Sequence, residues 1–366
     1  MDFYGYMRPN GKAGARNYVL LLPVNRSLNF IASNVERMTR NTRHFEIPAE
    51  TGRTEVDREV IARTLIGLMN NANVGGIVLL AVKSGAGSAY KNMCAERFEE
   101  EARKTGKPLR IVYLTNVGGS YNMLGETLRL TREVLLEVSD FRRENCPLSA
   151  LTLGVKCGTS DATSGIAGNP CVGAAFDQLI RAGGTAFFSE TTEIIGAEDL
   201  VAKRAVNESV AKKILSAARH WEDKAKATGE DIRKINPIPA NIAAGISSLE
   251  EKSLGAIAKS GTSPIQDVLK YAEMPKGSGL YFVDSWMSSL SLPLCLTACG
   301  ATIMLYQMGG GKIAQHPMMP SINPTVVSPF LYLTGNAVAY SRAPDNFDFD
   351  ASSIMTEGAS IPEMGT

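Results

Sequence analysis

The sequence predicts an α/β protein built from two Rossmann-like parallel-sheet domains, residues 1–146 and 147–366, with a site in the cleft between them. Three observations carry this expectation. Apolar runs of strand length alternate along the chain with stretches of helical spacing. Polar or glycine-bearing turns follow those runs, as they do where open α/β sheets collect functional groups. Length and composition are those of a globular chain of two or three domains: 366 residues, 44% hydrophobic and 20% charged.

The elements follow in order. Residues 17–24 (NYVLLLPV) form an apolar run fit for a strand buried on both faces, and helical spacing covers 28–37. Residues 46–54 read as a loop and 56–70 as a helix. A second strand, 76–82 (GIVLLAV), leads into a glycine-rich turn, and a charged helix spans 91–104. A third strand, 109–114, precedes a helix over 124–138. Asn145-Cys146-Pro147 is the expected boundary. Beyond it, 151–155 and 185–188 read as strands around a helix at 172–182. A long helix over 207–226 is broken by Asn236-Pro237. A short helix covers 249–258, a strand 280–283, a helix 295–300 and a strand 302–306. The tail, 345–366, is acidic and polar and is expected to pack across the surface.

Several function classes are disfavoured at this level. A formal charge of +1, from 38 basic and 37 acidic residues, offers no electrostatic footing for nucleic acid or an anionic membrane. No apolar run approaches the roughly 20 residues that span a bilayer, and Met1–Gly5 lacks the character of a signal peptide. A cytoplasmic location is expected. The six cysteines form no C-x-x-C pair, and three histidines make a His-rich zinc site unpromising. A complete G-x-G-x-x-G, a Walker A loop and G-x-S-x-G are all missing.

The richest stretch is 151–193. Cys157 follows a buried strand among glycines, where a thiolate binds a soft metal or is activated by a cation such as Lys156; the plain alternative is a small turn residue. Asp161 serves as a turn cap, a metal ligand or a general base. Glu190 and Glu193 stand three apart after a strand, a spacing that suits proton abstraction, hard-metal binding or a helix start. Lys259, Ser260 and Thr262 offer a cation and hydroxyls to an anionic or polyhydroxy ligand, or else form a solvated loop.

Gly154, Cys157, Gly158, Ser160, Asp161, Ser164, Gly165, Asn169 and Pro170 together resemble the signature of the altronate/galactarate dehydratase family of sugar-acid hydro-lyases. The resemblance runs almost end to end, through Gly5–Val19, Ser189–Glu198, Glu251–Gly255, Ala258–Pro264 and Gly279–Asp284. It implies β-elimination of water from a hydroxylated sugar acid, with Asp161, Glu190, Glu193 and Cys157 as catalytic residues. It further implies a divalent metal, iron or a similar ion, held by Cys157 and Glu193. Ser160 and Asn169 join Lys259, Ser260 and Thr262 as substrate-binding residues. A separate small domain or subunit often completes such a site, and a homo-oligomer is expected. The chain is also comparable to the large subunit of sulfolactate sulfo-lyase.

The departures from the family pattern cluster at strand ends of the first half. Family thiols and a carboxylate give way to Arg26, Arg53 and Lys83. Three cations suit a multiply anionic substrate better than a metal ion. Alternatives to a metal-dependent dehydratase are a lyase or isomerase working without metal, a sulfo-lyase large subunit, and a binding or partner subunit that has lost the chemistry.

Overall fold

The structure, a computed structural model, describes residues 2–49, 52–83, 90–310 and 325–366. Its strands are β1 (Asp2–Met7), β2 (Ala13–Gly14), β3 (Tyr18–Pro23), β4 (Thr42–His44), β5 (Val74–Ala81), β6 (Leu109–Tyr113), β7 (Glu144–Pro147), β8 (Thr152–Gly158), β9 (Thr185–Phe188), β10 (Ile265–Leu269), β11 (Gly279–Val283), β12 (Ile303–Met308), β13 (Phe330–Thr334) and β14 (Phe349–Asp350). They assemble into the expected α/β arrangement. One parallel sheet has the order β4-β3-β5-β6, and a second, also parallel, has the order β10-β11-β9-β8-β12-β13-β14.

The strand β3 shows why a continuous apolar run was a usable signal. Leu20 and Leu22 pack on one face of the sheet while Val19 and Leu21 pack on the other, and all four are fully buried. Helices cover both faces, so alternation has no polar side to display. The same logic holds for β5, whose eight residues are all buried.

A small antiparallel sheet, β2-β1-β7, was not anticipated. Its strands carry mixed polarity because one side faces solvent. It ties the amino-terminal segment to residues 144–147, the segment in which the boundary was expected. The helix expected over 91–104 starts properly at Ala95, because Cys94 is extended and closes a separate short turn, Lys91–Met93. Residues 345–366 pack on the helix Asn169–Arg181 through Cys171 Sγ to Met364 O and Gln178 Nε2 to Pro362 O.

The two parallel sheets are joined by close backbone contact. A Cβ on Gly67, in the helix Glu55–Asn70, would stand 2.2 Å from Ala298 O in the helix Ser291–Cys299. Asn71 Nδ2 donates to both Thr297 O and Ala301 O at 2.9 Å, and Asn73 Nδ2 donates to Thr302 O at 2.8 Å. Buried amides satisfied this way fix the mutual orientation of the two halves. Among the described residues no helix is long and apolar enough to cross a membrane.

Candidate active site

The seven-stranded sheet reverses its winding at β8. The chain moves outward from β8 to β9 and later returns to β12 on the other side. In open α/β sheets a crevice forms outside the carboxyl ends of the strands at such a point. Two residues there hold left-handed backbone without being glycine: Thr159 after β8 (φ 44°) and Glu190 after β9 (φ 72°). Strain of this kind persists only where the surroundings enforce it. The surroundings of Glu190 do so.

Glu190 is fully buried and is gripped by cations from two directions. Lys259 Nζ donates to its Oε2 at 2.5 Å and Lys156 Nζ to its Oε1 at 3.5 Å. Oε2 also accepts from Cys157 N at 3.2 Å and Cys157 Sγ at 3.4 Å. Lys259 Nζ lies 3.1 Å from Cys157 Sγ, and Lys156 Nζ reaches Cys157 O at 2.7 Å and stands over the Tyr306 ring. Burial alone would raise the Glu190 carboxyl, but Lys259 and Lys156, with the Cys157 amide, hold it down to about 2. Burial and the Glu190 charge push the Cys157 thiol up to about 11, against the pull of Lys259. For Lys259, burial is overcome by the Cys157 sulfur and the Glu190 carboxylate, so its ammonium is held above the ordinary lysine value.

Glu193 lies one turn further on, in the short helix Thr191–Ile194, and points elsewhere. Its carboxylate pairs with Lys252 Nζ at 2.9 and 3.1 Å, and Lys252 also donates to Asn236 Oδ1 at 2.5 Å. Lys252 comes from the helix Leu249–Ile257, whose apolar face buries the lysine stem. Cys157, Glu190, Glu193, Lys252, Asn236 and Ser160 line one pocket of about 300 Å³, closed further by Ile238, Asn241 and Met287.

Asp161 anchors three loops. Its Oδ1 accepts from Thr163 Oγ1 at 2.6 Å and Ser164 N at 3.0 Å, in the manner of a turn cap. Its Oδ2 accepts from Gly310 N at 2.6 Å, after β12, and from Asn336 Nδ2 at 2.9 Å, after β13. A residue larger than glycine at 309 would collide with Thr159 O, 2.4 Å from the Cβ position. A turn of π-helix, Ser164–Gly168, follows and delivers Asn169 to the start of the next helix.

The sequence-derived candidates therefore divide. Cys157, Glu190, Glu193 and Lys259 come together, with Ser160 at the pocket wall and Asp161 and Asn169 close behind it. Ser260 and Thr262 do not join them. Ser260 Oγ donates to Ile257 O and accepts from Arg204, and Thr262 is tied by its amide and hydroxyl to Asp177. Arg26 is exposed in the turn Arg26–Leu28. Arg53 is exposed and donates to Ala49 O, and exposed Lys83 stands over the Tyr113 ring. Every residue lining the pocket comes from 157–287, so its described wall belongs to the seven-stranded half rather than to a cleft between the sheets.

The implied metal would need Cys157 and Glu193 as ligands. Among the described residues no group of three or more His, Cys, Asp or Glu side chains is placed to hold a metal ion. The space between Cys157 and Glu190 is taken by the Lys259 ammonium, and Glu193 is engaged by Lys252. These residues do not fit a divalent metal. His316 lies outside the described residues.

Sequence reasoning passed over Lys252, Asn236 and Asn336, and named Lys156 only as a neighbour of Cys157. Lys156 carries a readable signal, a lone lysine inside an otherwise apolar strand, a position that needs a buried partner; Lys252, beside Glu250 and Glu251, carries none.

Comparison with known proteins places this geometry in a family. Residues 5–139 match the second domain of D-galactarate dehydratase/altronate hydrolase, and residues 148–366 match the C-terminal region of D-galactarate/altronate dehydratase. The chain is similar to the (2R)-sulfolactate sulfo-lyase subunit beta of Chromohalobacter salexigens, at 31% identity over 99% of this chain and 89% of that protein. It is 31% identical to altronate dehydratase of Bacillus subtilis, over 97% of this chain and 70% of that enzyme. Galactarate dehydratase (L-threo-forming) of Escherichia coli is 29% identical, over 99% and 70%. Both halves of the chain and the pocket segment lie within these matches, and the chain belongs to the D-galactarate/altronate dehydratase family.

Proposed function

We propose that this protein is a lyase that removes water by β-elimination from a small hydroxylated carboxylic acid. A base withdraws the proton α to the carboxylate, and the C–H electron pair becomes the Cα=Cβ bond. The Cβ–O bond breaks, and the departing hydroxide takes a proton and leaves as water. The enol that remains tautomerises to a 2-oxo-3-deoxy acid. Glu190 is poorly suited to the first step, since a carboxylate held at about 2 and fully buried has little appetite for a proton. Glu193 is the base in this reading. Lys252, 2.9 Å away, orients it and offsets negative charge that develops on the substrate carboxylate. Cys157 supplies the proton to the leaving group, and Lys259 at 3.1 Å stabilises the thiolate left behind.

The observation that carries this reading is the meeting of Glu193–Lys252 and Cys157, backed by Lys259, at one pocket outside the carboxyl ends of β8 and β9. It is tested by assaying 2-oxo acid formation from aldonates and aldarates with wild-type protein and Glu193→Gln. Loss of turnover by about a hundredfold or more, with the fold intact, is expected. Near-normal turnover by the variant overturns the assignment.

A second reading has its own support. One relative, of whose length this chain covers 89%, is named as subunit beta of a sulfo-lyase. In that reading the leaving group is sulfite and a small partner subunit is required. Sulfite release from sulfolactate, measured with and without a candidate small subunit, distinguishes the two.

A further inference from the structure

A cavity of about 340 Å³ opens where β5 and β6 begin, at the end of the four-stranded sheet opposite to the carboxyl ends of its strands. It shares no lining residue with the pocket beside β8 and β9. Arg8, Lys107, Gly75, Pro108 and Phe141 line it, and Glu144 is the one carboxylate on its wall.

Arg8 is only 5% exposed. Its Nε donates to Ala72 O at 2.7 Å, and its Nη2 donates to Asn17 Oδ1 at 2.9 Å and Arg16 O at 3.3 Å. Lys107 Nζ donates to Met69 O at 2.6 Å and Asn71 O at 2.8 Å. Asn71 and Ala72 are consecutive, so the two cations grip adjacent carbonyls of one turn. Arg8 Nη1 donates to no described residue and keeps solvent-accessible surface. The guanidinium thus has an N–H edge to spare for a ligand in the cavity that it lines.

Neither cation has a carboxylate partner among the described residues; every acceptor they reach is a neutral carbonyl or amide oxygen. Buried cations are ordinarily paired with an anion. These two act against each other instead. Burial and the Arg8 charge hold the Lys107 ammonium well below the ordinary lysine value, and burial holds Arg8 down to about 10. A metal ion would add to the repulsion, and an apolar ligand would leave both charges uncompensated. An anion with two or more acceptor oxygens answers the guanidinium fork and the ammonium together.

We propose that this cavity binds a compact, multiply charged oxyanion of the phosphate class, held between Arg8 Nη1 and Lys107 Nζ. The occupant removes the repulsion between the two cations. It also braces the turn at 69–73, whose Asn71 and Asn73 amides dock the seven-stranded half. The site is separate from the lyase chemistry and does not depend on it.

Calorimetric titration at constant ionic strength tests this without an activity assay. The probes are inorganic phosphate and glycerol 3-phosphate, titrated into the whole chain as wild type, Lys107→Met and Glu144→Gln. Wild-type protein is expected to bind at least one probe with one equivalent at this site. Lys107→Met, with an unchanged melting temperature, should weaken that binding roughly tenfold or more. Glu144→Gln, at an exposed position, should tighten it about threefold, because the one carboxylate on the wall has gone. A merely structural role for the two cations predicts no such gain. Failure of both probes to bind wild-type protein overturns the proposal, as does an isotherm that is the same for wild type and Lys107→Met. Should Lys107→Met fail to fold, Glu144→Gln decides alone, and unchanged or weaker binding by it overturns the site.

Discussion

Lys259 Nζ lies 2.5 Å from Glu190 Oε2 and 3.1 Å from Cys157 Sγ, with all three residues buried. Removing the lysine charge leaves the buried carboxylate with only the longer, 3.5 Å contact to Lys156. Lys259→Met should lower stability by about 3–5 kcal/mol. Converting both partners, Lys259→Met with Glu190→Leu, should recover part of that loss. Urea unfolding of the single and double variants measures the difference, and full additivity of the two losses would contradict the pairing.

Stability should fall at acid pH through Glu190. An unfolded glutamate titrates near about 4.3, and Glu190 is held at about 2 in the fold. A folded value below the unfolded one means that the fold favours the ionised form. Its contribution is complete above the unfolded value and is lost as pH falls through about 2. The loss over that window is on the order of 3 kcal/mol. Denaturation midpoints between neutral pH and pH ~2 should decline more steeply for wild type than for Glu190→Gln, which has no titrating carboxyl at this position.

Lys252 lines the pocket and holds Glu193. Lys252→Met should reduce kcat/KM for an acidic substrate by about a hundredfold, from both a weakened carboxylate contact and a misplaced base. An unchanged kcat/KM would argue against Lys252 as the residue that positions the base.

Gly67 reports on the packing of the two sheets. Its Cβ position lies 2.2 Å from Ala298 O and 2.8 Å from Ala298 C, both backbone atoms. Gly67→Ala forces the helices apart and should cost about 1–3 kcal/mol, outweighing the helix propensity it gains. A higher melting temperature for the variant would show that the helices separate freely.

Much of this architecture was legible because parallel strands buried on both faces announce themselves. Residues 18–23, 74–81 and 185–188 are near-continuous apolar runs, and each became a strand. Strands such as β1 and β7 were missed because a sheet with one side in solvent carries no such run. Cys157, Glu190 and Glu193 were found through their place after strands. Their separate partners were not, since nothing in the order of residues says that Lys259 reaches across 102 positions to Cys157 while Lys252 reaches across 59 to Glu193. Arg26, Arg53 and Lys83 read as a cationic wall because they follow strands, yet exposure places their charges in water. Ser260 and Thr262 have the composition of a ligand loop, but their polar groups are consumed by Ile257, Arg204 and Asp177.

Asp161 binds the segments that follow β8, β12 and β13 to a single carboxylate. Those loops are therefore one mechanical unit, and a change in the length of any of them is felt by the other two. On the opposite rim Ile238 and Met287 meet the pocket without bonding to that carboxylate. A directed-evolution library confined to residues 238–240 and 285–290, which spares Asn236 and Lys252, should yield altered specificity with intact folding far more often than one spread over the Asp161 loops.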